Sequence, residues 1–443
     1  MLQSATSHKS GPLSGRVRVP GDKSISHRAL IIGALAMGTS RIVGLLEAGD
    51  VLSTAAALVQ LGAQVRNERG GWFVTGRGVG GLEEPEAALD FGNSGTGARL
   101  MMGPVAGHDM TATFTGDASL QSRPMGRVLN PLELMGLNLA EPRETLPLTL
   151  IGTSDLIPIE YRLPVASAQV KSAILLAGIH APGETTVIEP APSRDHTERM
   201  LRHLGATVTV GERGGERAVT VVGDAELVAK DITVPGDPSS AAFLATAALI
   251  SPGSDILIEN VLANPTRMGF YQCLNEMGAD LVFEDEHDVS GEPVVSIRVR
   301  ASRLHGITVP AERAPSMIDE YPCLAVAAAF AKGETRMEGL AELRVKESDR
   351  LASIASGLAA CGVEAAIDVD TLIVNGSGKI SGGAVVTTNM DHRIAMAFLT
   401  LGLGAEQPVT VDDAAMIATS FPEFISLMAD LGAELRAGET VEP

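Results

Sequence analysis

The 443-residue chain is 45% hydrophobic and 20% charged, enough apolar sequence for more than one core and too much for a disordered chain. Its formal charge of −20 opposes binding to nucleic acid and to anionic membranes. No apolar run reaches the roughly 18 residues that crossing a bilayer takes, and Met1 to Leu13 lack a secretory apolar core, which predicts a cytoplasmic protein.

Aromatic residues make up only 3% of the chain, against 48 glycines. Small residues in place of aromatic anchors predict closely packed helices and sites lined by backbone. Cys273, Cys323 and Cys361 are far apart, with no disulfide framework and no metal-ligand spacing. They are expected to be small buried hydrophobes.

In chain order, a small-residue helix followed by a turn and a short strand recurs six times. Ser26–Met37 is followed by GTSRIVGLL, Gly95–Gly107 by MTATFTG, and Ala168–Ile179 by GETTVIEP. Ser239–Ile250 is followed by GSDILIENV, Ile318–Ala331 by GETRMEGL, and Asp391–Leu403 by QPVTVDD. Each copy then has a second amphipathic helix that ends in glycine before a β-rich stretch, as in LGAQVR from Leu61 or CGVEAAI from Cys361. Leu351, Ile354, Leu358 and Cys361 mark one face of such a helix. Glycine is the natural left-handed residue for closing it.

Each copy therefore reads as strand, helix, strand, helix, then one or two strands, an α/β unit with its own sheet. Six such units most economically make two lobes of three. Val19-Pro20-Gly21 is echoed by Val234-Pro235-Gly236, and the chain is expected to cross between lobes at these points. Residues 1–20 plus 235–443 would form lobe I and 21–234 lobe II, with the active site in the cleft.

The stretches that open the small-residue helices are where chemistry is expected, because a helix N-terminus presents free N–H groups and a positive dipole. Six such ends are expected to converge. Pro20–Arg28 carries Lys23 and Arg28 around serines suited to capping. Asp90–Arg99 is a glycine-rich loop without P-loop spacing. Gly116–Arg127 includes Arg123, Ala166–Ser172 includes Ser167, Gln169 and Lys171, and Arg194–Arg199 opens a further helix. Ser316–Glu320 puts carboxylates at a helix start, Arg344–Arg350 is dense in both charges, and Asp391–Arg393 opens the last small-residue helix. Cations recurring at helix starts of an acidic chain point to substrates with several negative charges, without naming them.

At these residues the chain resembles the EPSP synthase (3-phosphoshikimate 1-carboxyvinyltransferase) family. PGDKSISHRAL, DFGNSGTGARL, GDASLQSRPMGR, SAQVKSA, RAPSMIDEYP, ELRVKESDR, MDHRIAMAF and SFPEF occur in the family's order between Gly15 and Ala437. GDASLQSRPMGRVLNPL and APSMIDEYP resemble its bacterial class II branch. The resemblance implies an enolpyruvyl transferase fold: two lobes, each three βαβαββ repeats in an inside-out α/β barrel. It implies transfer of the enolpyruvyl group of phosphoenolpyruvate to shikimate 3-phosphate, no metal or organic cofactor, and a monomer that closes on shikimate 3-phosphate.

By the same resemblance, Lys23, Ser24, Arg28, Ser167, Ala168, Gln169, Arg194, Asp319 and Lys346 would hold shikimate 3-phosphate. Lys23, Gly95, Arg123, Gln169, Arg350 and Arg393 would line the phosphoenolpyruvate subsite. Asp319 would serve the acceptor hydroxyl, and Glu347 with Lys23 would act near the enol carbon and bridging oxygen. Thr419 stands where many members have a lysine, so that contact is not carried over. Gly95 leaves room for the inhibitor glyphosate, whereas Leu100 replaces the proline frequent in sensitive members; measurable inhibition is expected.

Three other readings are disfavoured. The sister transferase acting on UDP-N-acetylglucosamine uses a Lys-Asn pair and usually a mobile cysteine; here the pair is Lys23-Ser24 and no cysteine precedes Cys273. A catalytically dead anion-binding protein need not keep Lys23, Asp319 and Glu347 together. A nucleic-acid-processing relative fits neither the charge nor the scarcity of aromatics.

Overall fold

A computed structural model describes residues 2–441. By its contacts the chain divides into two compact units. Unit 1 comprises Met1–Pro20, Pro235–Asp288 and Pro293–Pro443; unit 2 comprises Gly21–Val234 with Val289–Glu292. No helix among the described residues is long and apolar enough to cross a membrane.

Among the described residues there are six four-stranded sheets, and all six share one plan. The first two strands of each sheet run parallel, and in four of the six the small-residue helix joins them directly, as parallel strands require. The second helix then leads into a hairpin whose last strand pairs beside the second. The repeat of Glu160–Arg162, Glu184–Glu189, Val208–Arg213 and Glu216–Val222 shows this order within one stretch of chain.

Three sheets are completed by strands from elsewhere in the sequence. Ile232–Thr233 pairs parallel with Met37–Val43 and supplies the missing first strand of the opening repeat in unit 2. Ser14–Val17 does the same for Asp255–Leu262 in unit 1. Leu2–His8 lies between Val409–Val411 and Glu434–Val441, antiparallel to both. It is the fourth strand of the last repeat.

The small-residue helices form the centre of each unit. In unit 1, Pro238–Ile250, Tyr321–Phe330 and His392–Gly402 pack on one another. All thirteen residues of the first of these are buried, the mark of a helix apolar on every side. Alanine suits both demands, with high helix propensity and a small cross-section. In unit 2, Gly95–Ala106 crosses Ala168–Gly178 so closely that a Cβ on Gly103 would lie 2.3 Å from the Ala173 carbonyl. These helices follow the expected copies with two exceptions: the first runs Lys23–Ala34, starting and ending three residues earlier than its predicted range, and the fifth starts at Tyr321, three residues later than predicted.

The glycine expectation holds six times over. Gly62, Gly136, Gly205, Gly278, Gly362 and Gly432 all have positive φ. In each case the following N–H bonds the carbonyl five residues back, Ala63 to Leu58 and Val363 to Leu358 among them, at 2.9–3.0 Å. This is a Schellman cap, and the accepting residues, Leu58, Leu132, Leu201, Leu274, Leu358 and Met428, are buried. Cys273, Cys323 and Cys361 are free and buried.

One buried pair makes stability depend on pH. The ring of His180 packs edge-on against His108 at 4.8 Å between centroids, in space left by Gly107, whose Cβ would lie 2.5 Å from that ring. His108 Nε2 accepts the Leu82 N–H at 3.1 Å, and Nδ1 donates to the Pro104 carbonyl at 2.7 Å, so the ring is neutral. Burial, then the nearby His108, pushes His180 down to about 3. Unfolded, it titrates near 6.5. The unfolded chain therefore binds more protons below that value, and stability falls as pH drops from about 6.5 toward 3. Melting temperatures across this range should fall less steeply for His180→Phe than for the parent; equal slopes would remove His180 as a contributor.

Candidate active site

The site residues fall into two sets, one per unit. In unit 2, Asp22 caps the first small-residue helix, its carboxylate accepting the Ile25 N–H at 2.8 Å. Lys23 Nζ donates to Asp50 Oδ2 at 2.7 Å. His27 is fully buried, and burial first, then the charges of Lys23 and Arg28, hold it far below its usual titration range. Its Nδ1 lies 2.9 Å from Thr54 Oγ1.

Arg28 is 2% exposed. Its Nε donates to Thr197 Oγ1 at 2.7 Å, Nη2 to Ser172 Oγ at 2.7 Å, and Nη1 to the Ser24 carbonyl at 2.9 Å. Burial draws its pKa down to about 10, against the opposing charges of Glu198 and Asp22. Arg194 Nη1 reaches Ser24 Oγ at 3.5 Å.

The glycine-rich loop ends at Ser94, which caps Gly95–Ala106 by accepting the Gly97 N–H at 3.1 Å. Ser167 caps Ala168–Gly178 in the same way through Val170, at 3.4 Å. Gln169 ties the two helix starts together: its Nε2 donates to Thr96 Oγ1 at 2.9 Å, and its Oε1 accepts from Arg99 Nη1 at 3.1 Å. Arg123 is 9% exposed. Its Nη2 donates to Asn93 Oδ1 at 2.8 Å and to Ser119 Oγ at 3.0 Å. A Cβ on Gly95 would stand 3.0 Å from Arg99 Nη1 and 3.3 Å from Arg123 Nη1, so the glycine keeps these guanidinium groups uncrowded.

In unit 1 the charges are answered within the protein. Arg350 is fully buried. Its Nε lies 2.8 Å from Asp391 Oδ2, Nη1 lies 3.4 Å from Asp319 Oδ1, and Nη2 pairs with Glu347. Burial opposes the charge, but Asp391, Glu347 and Asp319 more than offset it, and the pKa is raised. Arg393 approaches the same Asp319 Oδ1 with Nε at 3.8 Å. Lys346 is half-buried as a residue, yet its amine is packed closely enough that burial lowers its pKa, against Asp319 and Glu347. Three cations thus face three carboxylates. Thr419 turns its hydroxyl back onto the Met416 carbonyl at 2.7 Å.

The expectation of six equivalent anion-ready helix starts needs correcting. Asp22, Asp237 and Asp391 cap three of the helices with carboxylates that already answer the dipole. Glu320 precedes Tyr321–Phe330 without a side-chain cap bond. Only Ser94 and Ser167 cap with neutral side chains, and these are the starts that carry Gly95 and Gln169. Lys171, read in sequence as a cation near these starts, is fully buried among glutamates.

Among the described residues, Asp195, His196 and Glu292 form the one His-carboxylate group compact enough to hold a metal. Arg199 already sits there as a cation, with Nε 2.9 Å from Asp195 Oδ1 and 3.7 Å from Glu292 Oε2.

Sequence reading missed the residues that hold the ligand candidates in place. Asp50 for Lys23, Ser172 and Thr197 for Arg28, and Asn93 for Arg123 belong to this set. A signal existed for Asn93, Ser172 and Thr197, which lie within singled-out motifs, and none for Asp50.

Six βαβαββ repeats with buried guanidinium groups near neutral helix caps define an α/β enzyme for anionic small molecules. The sequence model of EPSP synthase (3-phosphoshikimate 1-carboxyvinyltransferase) matches residues 7–428. The 3-phosphoshikimate 1-carboxyvinyltransferase of Methylorubrum extorquens is 59% identical over 98% of both chains, and that of a Chelativorans species is 60% identical over 97% of both. The solved EPSP synthase of Acinetobacter baumannii superposes with a TM-score of 0.87 at 42% identity, over 99% of this chain and all of the other. The chain belongs to the EPSP synthase family.

Proposed function

We propose that the protein transfers the enolpyruvyl group of phosphoenolpyruvate to the 5-hydroxyl of shikimate 3-phosphate. The observation that carries this reading is the contrast between buried arginines. Among the described residues, Arg28 and Arg123 hydrogen-bond to neutral oxygens alone, whereas Arg350 is met by three carboxylates. A desolvated guanidinium with neutral partners is poised for an anionic ligand. Two of them, with Lys23 and Arg194 in the same unit, suit two phosphorylated acids.

In the proposed reaction the acceptor hydroxyl adds to C2 of phosphoenolpyruvate while C3 gains a proton, giving a tetrahedral intermediate. Phosphate then leaves C2 as C3 loses a proton, restoring the double bond. The products are 5-enolpyruvylshikimate 3-phosphate and phosphate, with no covalent bond to the enzyme. Ser24, Arg28, Ser167, Ala168, Gln169, Arg194 and Lys346 would bind shikimate 3-phosphate. Gly95, Arg123, Gln169, Arg350 and Arg393 would line the phosphoenolpyruvate subsite. Asp319 takes the hydroxyl proton, and Glu347 with Lys23 serves C3 and the bridging oxygen. The pairing of Glu347 and Asp319 through Arg350 fits two carboxylates that exchange protons in concert. The cations stabilise charge developing on phosphate and carboxylate. The proposed protein is a cytoplasmic monomer, and its reduced, buried thiols fit a reducing compartment.

Phosphate release from phosphoenolpyruvate is expected with shikimate 3-phosphate and not with UDP-N-acetylglucosamine. Release only with the sugar nucleotide would overturn the acceptor, and release with neither would overturn the reading. Glyphosate is expected to inhibit competitively with phosphoenolpyruvate; an IC50 in the high millimolar range would contradict the proposed room beside Gly95.

A further inference from the structure

Lys171 lies two residues after Gln169 but points away from the ligand candidates, into the protein. Its Nζ is 2.7 Å from Glu198 Oε1 and 3.0 Å from Glu189 Oε1, with all three side chains fully buried. It also donates to the Ser193 carbonyl at 3.4 Å, while the Ser193 hydroxyl donates to Glu189. Arg217 Nε meets Glu189 Oε2 from the rim at 3.6 Å. A buried cluster of this kind is a poor source of stability, because well-packed apolar residues in its place are often as stable or more so.

Its neighbours suggest another use. Ser193 adjoins Arg194. Glu198 adjoins Thr197, which accepts from Arg28 Nε, and Ser172, next to Lys171, accepts from Arg28 Nη2. Ser172 and Thr197 are themselves 2.7 Å apart. Glu198 also supplies the strongest favourable charge felt by Arg28. Lys171, Ser193 and Glu198 are thus each one residue from a group that holds Arg28 or from Arg194 itself, and Glu189 is tied to them through Ser193 and Lys171.

We propose that Lys171, Glu189 and Glu198 are positioning residues for the acceptor's anion subsite, fixing Arg194 through Ser193 and Arg28 through Ser172 and Thr197 without touching substrate. This rests on the function proposed above. Charge matters as well: Glu189 is met by both Lys171 and Arg217, while Glu198 acts on Arg28 as well as on Lys171.

Steady-state kinetics of Glu198→Gln test the proposal. The variant keeps the shape and removes one charge. KM for shikimate 3-phosphate should rise about tenfold or more, the scale of one charged hydrogen bond, while KM for phosphoenolpyruvate and kcat stay within about threefold. A purely structural cluster would lower the melting temperature and leave both KM values alone, which would overturn the proposal. Should Glu198→Gln fail to fold, Ser193→Ala removes only the hydroxyl that grips Glu189 and is expected to raise the same KM; no rise in a cooperatively melting Ser193→Ala would overturn it too. Failure of the parent enzyme to turn over shikimate 3-phosphate would instead sink the proposed function, before any variant is made.

Discussion

Glu347→Gln is expected to lower kcat by about 10²–10⁴-fold, the usual scale of general acid-base help, with KM for shikimate 3-phosphate nearly unchanged. The reason lies in what the substitution spares. Arg350 stays anchored by Asp391 through Nε at 2.8 Å and faces Asp319 at 3.4 Å. Glutamine still accepts a hydrogen bond from Nη2, so the guanidinium keeps its place. What is lost is a carboxyl able to exchange a proton. Asp319→Asn should also lower kcat, but with a second signature. Asp319 Oδ1 faces both Arg350 and Arg393, so both arginines gain freedom and KM for phosphoenolpyruvate should rise as well. Rate measurements at saturating substrate check both. Near-normal kcat in Asp319→Asn would remove it as the base for the hydroxyl.

The second large effect is on stability, and it separates two arginines of similar burial. Arg350→Met leaves Asp319, Glu347 and Asp391 facing one another without their shared cation. Removing one partner of a buried ion pair costs about 3–5 kcal/mol, so the urea midpoint should drop sharply. Arg123→Met removes a buried cation whose partners are the neutral oxygens of Asn93 and Ser119. These retain other options; the Asn93 amide already donates to Asp117 at 2.7 Å. Stability should change little, while the loss of a buried charged contact, about 2–5 kcal/mol, appears in KM for phosphoenolpyruvate. Equal midpoints for the two variants would refute this contrast.

The repeat was legible because it rests on local rules. A glycine after a helix and an apolar residue after the glycine specify the same cap six times, as Gly62 and Gly362 show. The small-residue helices were legible for the same reason. Helix starts were less so: a run such as GDKSIS offers an aspartate and serines as caps, and only geometry selects Asp22. The orientation of Lys171 was hidden altogether. In sequence it sits beside Gln169, but one turns inward and the other toward Thr96 of a neighbouring repeat. The partners of Arg28 lie 144 and 169 residues away, where no periodicity points to them.

The strand Leu2–His8 has a consequence for biosynthesis. It leaves the ribosome well before its hydrogen-bonding neighbours Val409–Val411 and Glu434–Val441, with Thr6 facing Thr410 across 404 positions. At translation speeds of about 5–20 residues per second it waits roughly 20–80 s with both edges open. Unit 2, almost one uninterrupted segment, has emerged long before then. The nascent chain therefore carries a bare strand tethered to a domain that is free to fold, and the last sheet closes only after Val409–Val411 and Glu434–Val441 have emerged.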